Sequence, residues 1–412
     1  MEEERPKNYF YSVKMIQLCI TLKLQSSASF RTIEQIMLIL NVHYQISTKS
    51  PTHSTVLLWV KKYGYYELNK PKDKAEDWIV MLDESVQFGQ SKLLVLYGLR
   101  QSNLGFNRPL NYGDITPLVL KSRCSWSGQN IKESIEDVQK HIGGSIIYAV
   151  ADYGNTIKKA LRMMKIPHVY DLTHRIALSL DHIYREDPEF KSYTEKLTYL
   201  RRSQVLGKMS HILPPLQRAK SRFMNLRPIS DWGKGVLNLL DQPGEVFQAE
   251  KEYLSWVKNY RSLITELVLI NEVINDIQLI LKTEGLSRQS AQRVKVILNR
   301  CRTKRLKDFK KTINEYIEQT LEALPDLDKI LCSSDILESS FGKYKNYLQD
   351  NPMVGITNLS LSISAFTGPL VREEIKCAFE KTRVRDIEEW TKLNIGKTTL
   401  SKRQEVLKIG CK

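Results

Sequence analysis

The chain has 412 residues, 42% of them hydrophobic, with 62 Lys and Arg against 46 Asp and Glu for a formal net charge of +16. That is enough apolar material to bury a sizeable core in two or three domains. No apolar run reaches the roughly 18 to 20 residues of a membrane helix. The opening MEEERPKNYF is acidic and polar, unlike a secretory signal, so an intracellular protein is expected. Six scattered cysteines without a CxxC pair argue against a zinc site or a disulfide framework and predict buried thiols.

Residues 1–75 predict a helical domain. SFRTIEQIMLIL sets Ile33, Ile36, Met37 and Leu40 on one helical face. In KSPTHSTVLLWVKKYGYY, Ser50 is the expected N-cap and Pro51 the first residue of a second helix carrying Val56, Leu57, Trp59 and Val60. The pair has a helix-turn-helix pattern. Its second helix would present His53, Ser54, Thr55, Lys61 and Lys62 to DNA, the lysines to phosphate and the N-terminal end to bases. A plain helical bundle is the alternative.

Residues 76–185 switch period. Strands are predicted at 78–86, 92–99, 117–124 and 145–151, with a helix at 131–141 before the fourth. ADYGNTIKKALRMMK then gives a strand end, a glycine turn and a helix, PHVYD a short fifth strand, and THRIALSLDHIY another helix. The expected fold class is α+β, a mixed five-stranded sheet flanked by helices. Residues 186–325 lose every strand signal and predict an all-α insertion. Short helices follow over 326–375, and 376–412 is expected to be a loosely ordered basic tail.

The basic surplus attracts polyanions such as nucleic acid, and it is concentrated. Between Lys196 and Ser230 lie eight Lys or Arg and no acid, among them Arg201, Arg202, Arg218 and Arg222. Between Arg288 and Lys311 there are ten against the single Asp308. Such runs are often only solvated faces. Two in one chain favour a nucleic-acid groove, with those arginines as DNA contacts.

Two of the predicted strands end in a carboxylate: EDWIVMLDES delivers Asp83, and SIIYAVADYGN delivers Asp152 ahead of a glycine turn. Each alone could be a turn former. At neighbouring strand ends the pair would repel unless a divalent cation sat between them. Glu338 in SSDILESSFGKYK is the candidate third ligand, with Lys345 two helical turns later on its face. A capping box from Asp335 to Glu338 is the competing explanation.

These motifs, IVMLDES, YAVADYGN and ILESSFGKYK, together with the helix-turn-helix pattern before them, resemble the DDE transposases of bacterial insertion sequences, which have an RNase H-like catalytic domain. The resemblance covers most of the chain, and the 186 residues between Asp152 and Glu338 (338 − 152) leave room for the helical insertion such transposases often carry. It implies a catalytic and metal-binding triad of Asp83, Asp152 and Glu338, in which Asp83 shares two Mg²⁺ ions, Asp152 holds one and Glu338 the other. Mn²⁺ could substitute. Hard oxygen ligands suit such ions, which at about 3.5–4 Å apart activate the attacking oxygen and stabilise the leaving one.

The resemblance further implies Lys345 on a phosphate near the cleaved bond, cleavage at the element's inverted-repeat ends, and attack of the freed 3′-hydroxyl on target DNA. The expected enzyme works as a homo-oligomer, a dimer when assembled on ends, in the bacterial cytoplasm at the nucleoid. Glu84 should face away from Asp83. Asp171, His174 and Arg175 lie at the end of the fifth strand, where His174 could orient a ligand or touch DNA, or simply hydrogen-bond locally. Trp126 and Trp232 could stack on an unpaired base, although tryptophan is more often core. An RNase H-like nuclease without strand transfer, a DNA-binding regulator derived from a transposase, and a basic helical scaffold are the alternatives.

Overall fold

The computed structural model describes residues 4–26, 28–46, 49–88, 91–105, 107–204, 207–216, 223, 225–348 and 355–409. The chain divides into two units, one formed by Met1–Val169 with Ser334–Lys412, the other by Tyr170–Ser333. No described helix is long and apolar enough to cross a membrane.

In the first unit, α1 (Val13–Ser26), α2 (Phe30–Tyr44) and α3 (His53–Asn69) precede β1 (Trp78–Phe88), β2 (Ser91–Arg100) and β3 (Thr116–Arg123). Then come α4 (Gly128–Ile142), β4 (Ile146–Ala151), α5 (Asn155–Met164) and β5 (His168–Tyr170). The sheet order is β3-β2-β1-β4-β5, with β1 antiparallel to β2, β2 antiparallel to β3, and β1 parallel to β4. This is the mixed five-stranded α+β sheet that the sequence predicts, and every strand lies within two residues of its expected limits.

Alternation along β1 decides what each face does. Trp78, Val80 and Leu82 join Leu94, Leu96, Ala149 and Ala151 in a core closed by Ile131, Ile135 and Val138 of α4 and Ile157, Ala160 and Leu161 of α5. Burial of such side chains is the main favourable term, about 1.5–3 kcal/mol each. Gly143 ends α4 at φ +59°, a left-handed cap in which its N–H donates to the Gln139 carbonyl at 3.0 Å.

The second unit is helical: α6 (Leu172–Tyr184), α7 (Pro188–Gln204), α8 (Arg227–Asp241), α9 (Gln248–Leu254), α10 (Arg261–Glu284), α11 (Arg288–Leu298) and α12 (Lys304–Ala323). It is wider than the expected 186–325. Helix α6 belongs to it, because the Leu172 N–H donates to the Cys332 carbonyl at 2.8 Å and Tyr316 Oη of α12 to the Tyr170 carbonyl at 2.9 Å.

The chain returns to the first unit with α13 (Asp335–Leu348), α14 (Leu361–Ala365), α15 (Arg372–Lys381), α16 (Val384–Asn394) and α17 (Thr399–Ile409). The expected loose tail is therefore helical. Ile375, Ala378 and Phe379 of α15, and Ile387 and Trp390 of α16, are buried at helical spacing. Of the described cysteines, Cys19, Cys301 and Cys332 are buried as expected, whereas Cys124 is exposed.

Candidate active site

The parallel register of β1 and β4 runs Ile79↔Tyr148, Val80↔Ala149, Met81↔Val150. Two residues further along the chain from the last of these pairs stand Asp83, within β1, and Asp152, one residue past the end of β4. Adjacent strands are about 4.8 Å apart, so the register continued by two residues would bring the two backbone positions near each other. A β-bulge follows Asp83: it pairs with Val95, but the next pair is Val86↔Leu93, which leaves one extra residue on β1. Bulges of this kind re-aim side chains and end pairing beside functional sites.

Asp152 is held at the start of its turn by the Gly154 N–H, which donates to Oδ1 at 3.0 Å. Glu84 points to the other face, as strand alternation predicts, and Thr156 Oγ1 in the first turn of α5 donates to its Oε1 at 2.5 Å. Its Oε2 is buried without a hydrogen-bond partner. Next to Asp152, the half-exposed Tyr153 stacks on His168 at 4.7 Å with Lys158 5.0 Å from its ring centroid. Burial holds the His168 imidazole below its usual value.

Glu338 sits on α13, which buries Leu337, Ser340, Phe341, Tyr344 and Leu348. The helix covers the face of the sheet that carries Asp83. Tyr97, partner of Met81 across β1 and β2, is fully buried and places its Oη 2.9 Å from Ser340 Oγ. Helix α13 begins at Asp335, so Glu338 is the fourth helical residue and not the third that a capping box uses. Glu338 and Lys345 lie exposed on one stripe, with Gly342 open to solvent between them.

The donors are all carboxylate oxygens, which suit Mg²⁺ or Mn²⁺. Among the described residues no three His, Cys, Asp or Glu side chains stand together as a ready metal cage. The pair of Asp83 and Asp152 nonetheless fits Mg²⁺, which typically takes one or two carboxylates and completes its shell with water and substrate phosphate.

The other predicted positions fall elsewhere. Helix α3 does not present Lys62 to DNA: the lysine is buried and donates to the Thr382 carbonyl at 2.8 Å and to Tyr9 Oη at 2.5 Å. Lys61 is half-buried, and burial pulls its ammonium down. The helix is an internal strut. A Cβ at Gly64 would stand 1.9 Å from the Leu361 carbonyl oxygen of α14, so glycine is what allows the two helices to touch. The cap is Thr52, accepting from the Thr55 N–H at 3.3 Å, so Ser50 and Pro51 lie outside the helix. His53 Nδ1 is 2.7 Å from Glu34 Oε2, and Ser54 is exposed.

In the second unit Asp171 caps α6, accepting from the His174 N–H at 2.9 Å and lying 3.0 Å from its Nδ1. That is the local role for His174. Arg175 Nε is buried without a hydrogen-bond partner. Arg201 donates to the Pro214 carbonyl at 2.5 Å and Arg202 is exposed, while Arg218 and Arg222 lie outside the described residues. The run from Arg288 to Lys311 is not a uniform basic face. Arg293, Lys295, Arg300, Arg305 and Lys311 are each in an ion pair, Arg305 with Asp187, Glu189 and Glu266 together. Arg288, Arg302, Lys304 and Lys307 are exposed. Trp126 is core, its Nε1–H donating to the Lys92 carbonyl at 3.2 Å, and the Trp232 indole donates to the Ile212 carbonyl at 3.1 Å.

No family model and no curated protein matches the chain. Among solved structures it is similar to one described as the Drosophila P element transposase strand transfer complex, at 10% identity, covering 88% of this chain and 92% of that chain with a TM-score of 0.43.

Proposed function

We propose that the chain is a DNA transposase, a divalent-metal-dependent enzyme that cleaves at element ends and transfers the freed 3′-hydroxyl to target DNA. The observation that carries the reading is that Asp83 and Asp152 each follow by two residues the parallel pair Met81↔Val150, with the Glu338 helix docked on the face that carries Asp83. Asp83, from the middle of β1, and Asp152, just past β4, would hold the cation, Glu338 would supply a carboxylate from α13, and Lys345 would meet a substrate phosphate. The bound cation supplies charge stabilisation at the attacked phosphate. The net charge of +16 suits a DNA partner, both element ends and target. The branch of bacterial insertion sequences, a dimeric assembly on two ends and a nucleoid location belong to the same proposal and rest on the sequence motifs.

The test is conversion of supercoiled plasmid carrying the gene's own flanking DNA to nicked or linear product in Mg²⁺ or Mn²⁺. Wild type should cut, while Asp152→Asn and Glu338→Gln should bind DNA without cutting it. Equal behaviour of all three would leave the acids structural and favour a DNA-binding regulator. Product analysis separates a transposase from a nuclease of the same fold, since only the former joins the freed 3′ end to a new strand.

A further inference from the structure

We propose that Glu84 is a positioning residue of this site: through Thr156 it braces the stretch of β1 bearing Asp83 against the turn bearing Asp152, and so sets the spacing at which the two aspartates meet a divalent cation. The inference rests on the metal-dependent reading above and deepens it.

Glu84 follows Asp83 at the bulge, and strand alternation turns it to the opposite face, toward α5. Thr156 Oγ1 donates to its Oε1 at 2.5 Å, joining residues 72 apart in sequence. Thr156 is the second residue of α5, whose N-cap is Gly154 and has no side chain to offer. The turn from Asp152 to Thr156 is therefore tied at both ends, by the bond from the Gly154 N–H to Asp152 Oδ1 and by the bond from Thr156 to Glu84. One aspartate cannot shift along its strand without straining the brace to the other.

A tie alone would not require a carboxylate. Glu84 Oε2 is buried with no hydrogen-bond partner, a costly arrangement for a charged group. The N-terminal end of α5 offsets part of that cost. The remaining negative charge, one residue from Asp83, adds to the field that draws a cation to the aspartates. Groups that orient metal ligands from behind commonly change metal affinity 10–100-fold when removed.

The experiment is Mn²⁺ binding to the full chain without DNA, followed by the electron paramagnetic resonance signal of the free ion, with melting temperatures measured on the same samples. Asp152→Asn should abolish the site. Thr156→Val, which deletes the donor at nearly constant volume, should weaken binding about tenfold, and Thr156→Ser should restore it. Glu84→Gln keeps an acceptor for Thr156 but loses the charge, and should weaken binding by a similar factor. If Asp152→Asn loses Mn²⁺ while Thr156→Val and Glu84→Gln bind like wild type, the brace is refuted and the metal site stands. A loss in Thr156→Val that Thr156→Ser does not restore also refutes it. Should wild type bind Mn²⁺ no better than Asp152→Asn, the functional reading falls and the brace with it.

Discussion

Asp83 and Asp152 each lie two residues past the parallel register pair Met81↔Val150, Asp83 within β1 and Asp152 just beyond the end of β4. Two like charges about 4–5 Å apart repel each other when no cation is present, by about 1 kcal/mol even at the dielectric of water. Asp83→Asn or Asp152→Asn should therefore raise the melting temperature in the presence of a chelator. The same variants should lose the stabilisation that Mg²⁺ or Mn²⁺ confers on wild type. Thermal melts with and without the ion read both effects, and a wild-type curve indifferent to the ion would count against a cation site between the strands.

Glu338 and Lys345 share an exposed stripe of α13, so neither should matter much to folding. Glu338→Gln is expected to keep stability within about 0.5 kcal/mol while cleavage drops to background. Lys345→Ala should weaken DNA binding and reduce the slope of log affinity against log salt by about one. Binding isotherms at several salt concentrations measure this. An unchanged slope would remove Lys345 from the phosphate contacts.

Lys62 gives the opposite pattern. Its ammonium serves the Thr382 carbonyl and Tyr9 Oη inside the unit, so Lys62→Met should cost about 2 kcal/mol of stability, in the range of hydrogen bonds to charged groups. DNA affinity of the folded variant, and its salt dependence, should stay at the wild-type level. Chemical denaturation together with DNA binding below the unfolding transition decides between this and a DNA-reading helix.

Glu67 imposes a pH dependence. It is buried in α3 with the Lys70 ammonium at 2.9 Å, and burial raises its carboxyl above the ordinary 4.5 despite the pull of Lys70. The folded state thus holds the proton more tightly than the unfolded chain. Its contribution to stability is complete below 4.5 and is lost as pH rises through the raised value. Glu67→Gln cannot ionise, so its melting temperature should gain on wild type as pH rises above 4.5. Parallel curves would contradict the assignment.

How far the sequence reveals this molecule depends on the range of the interactions involved. The strands are legible because alternation and turn residues are local, and so Ile79 to Leu82 announce β1 without help from the rest of the chain. The role of α3 is not, because what covers it, Leu361 and Thr382, comes from some 300 positions later. Its cap and apolar stripe fit a DNA-reading helix and a buried strut equally well. The basic run from Arg288 misleads for the same reason. Half its charge is met by Asp187, Glu189, Glu266, Glu272, Asp276, Glu284, Glu315 and Glu318, all of them outside the run itself. Asp152 follows its strand as the sequence suggests, but β1 continues past Asp83 to Phe88, and the relation between the two aspartates needs the parallel register. The bond between Glu84 and Thr156 needs the bulge as well.

The first unit is discontinuous: the chain leaves it after Val169 and rejoins it at Ser334. Synthesis therefore delivers Asp152 186 residues before Glu338 (338 − 152), which at roughly 5–20 residues per second is about 10–40 seconds on the ribosome. During that interval the growing chain already has the strands that align the aspartates, but not the helix that covers Tyr97 and brings Glu338. The order of translation itself keeps the carboxylate set incomplete until the helical unit has been made.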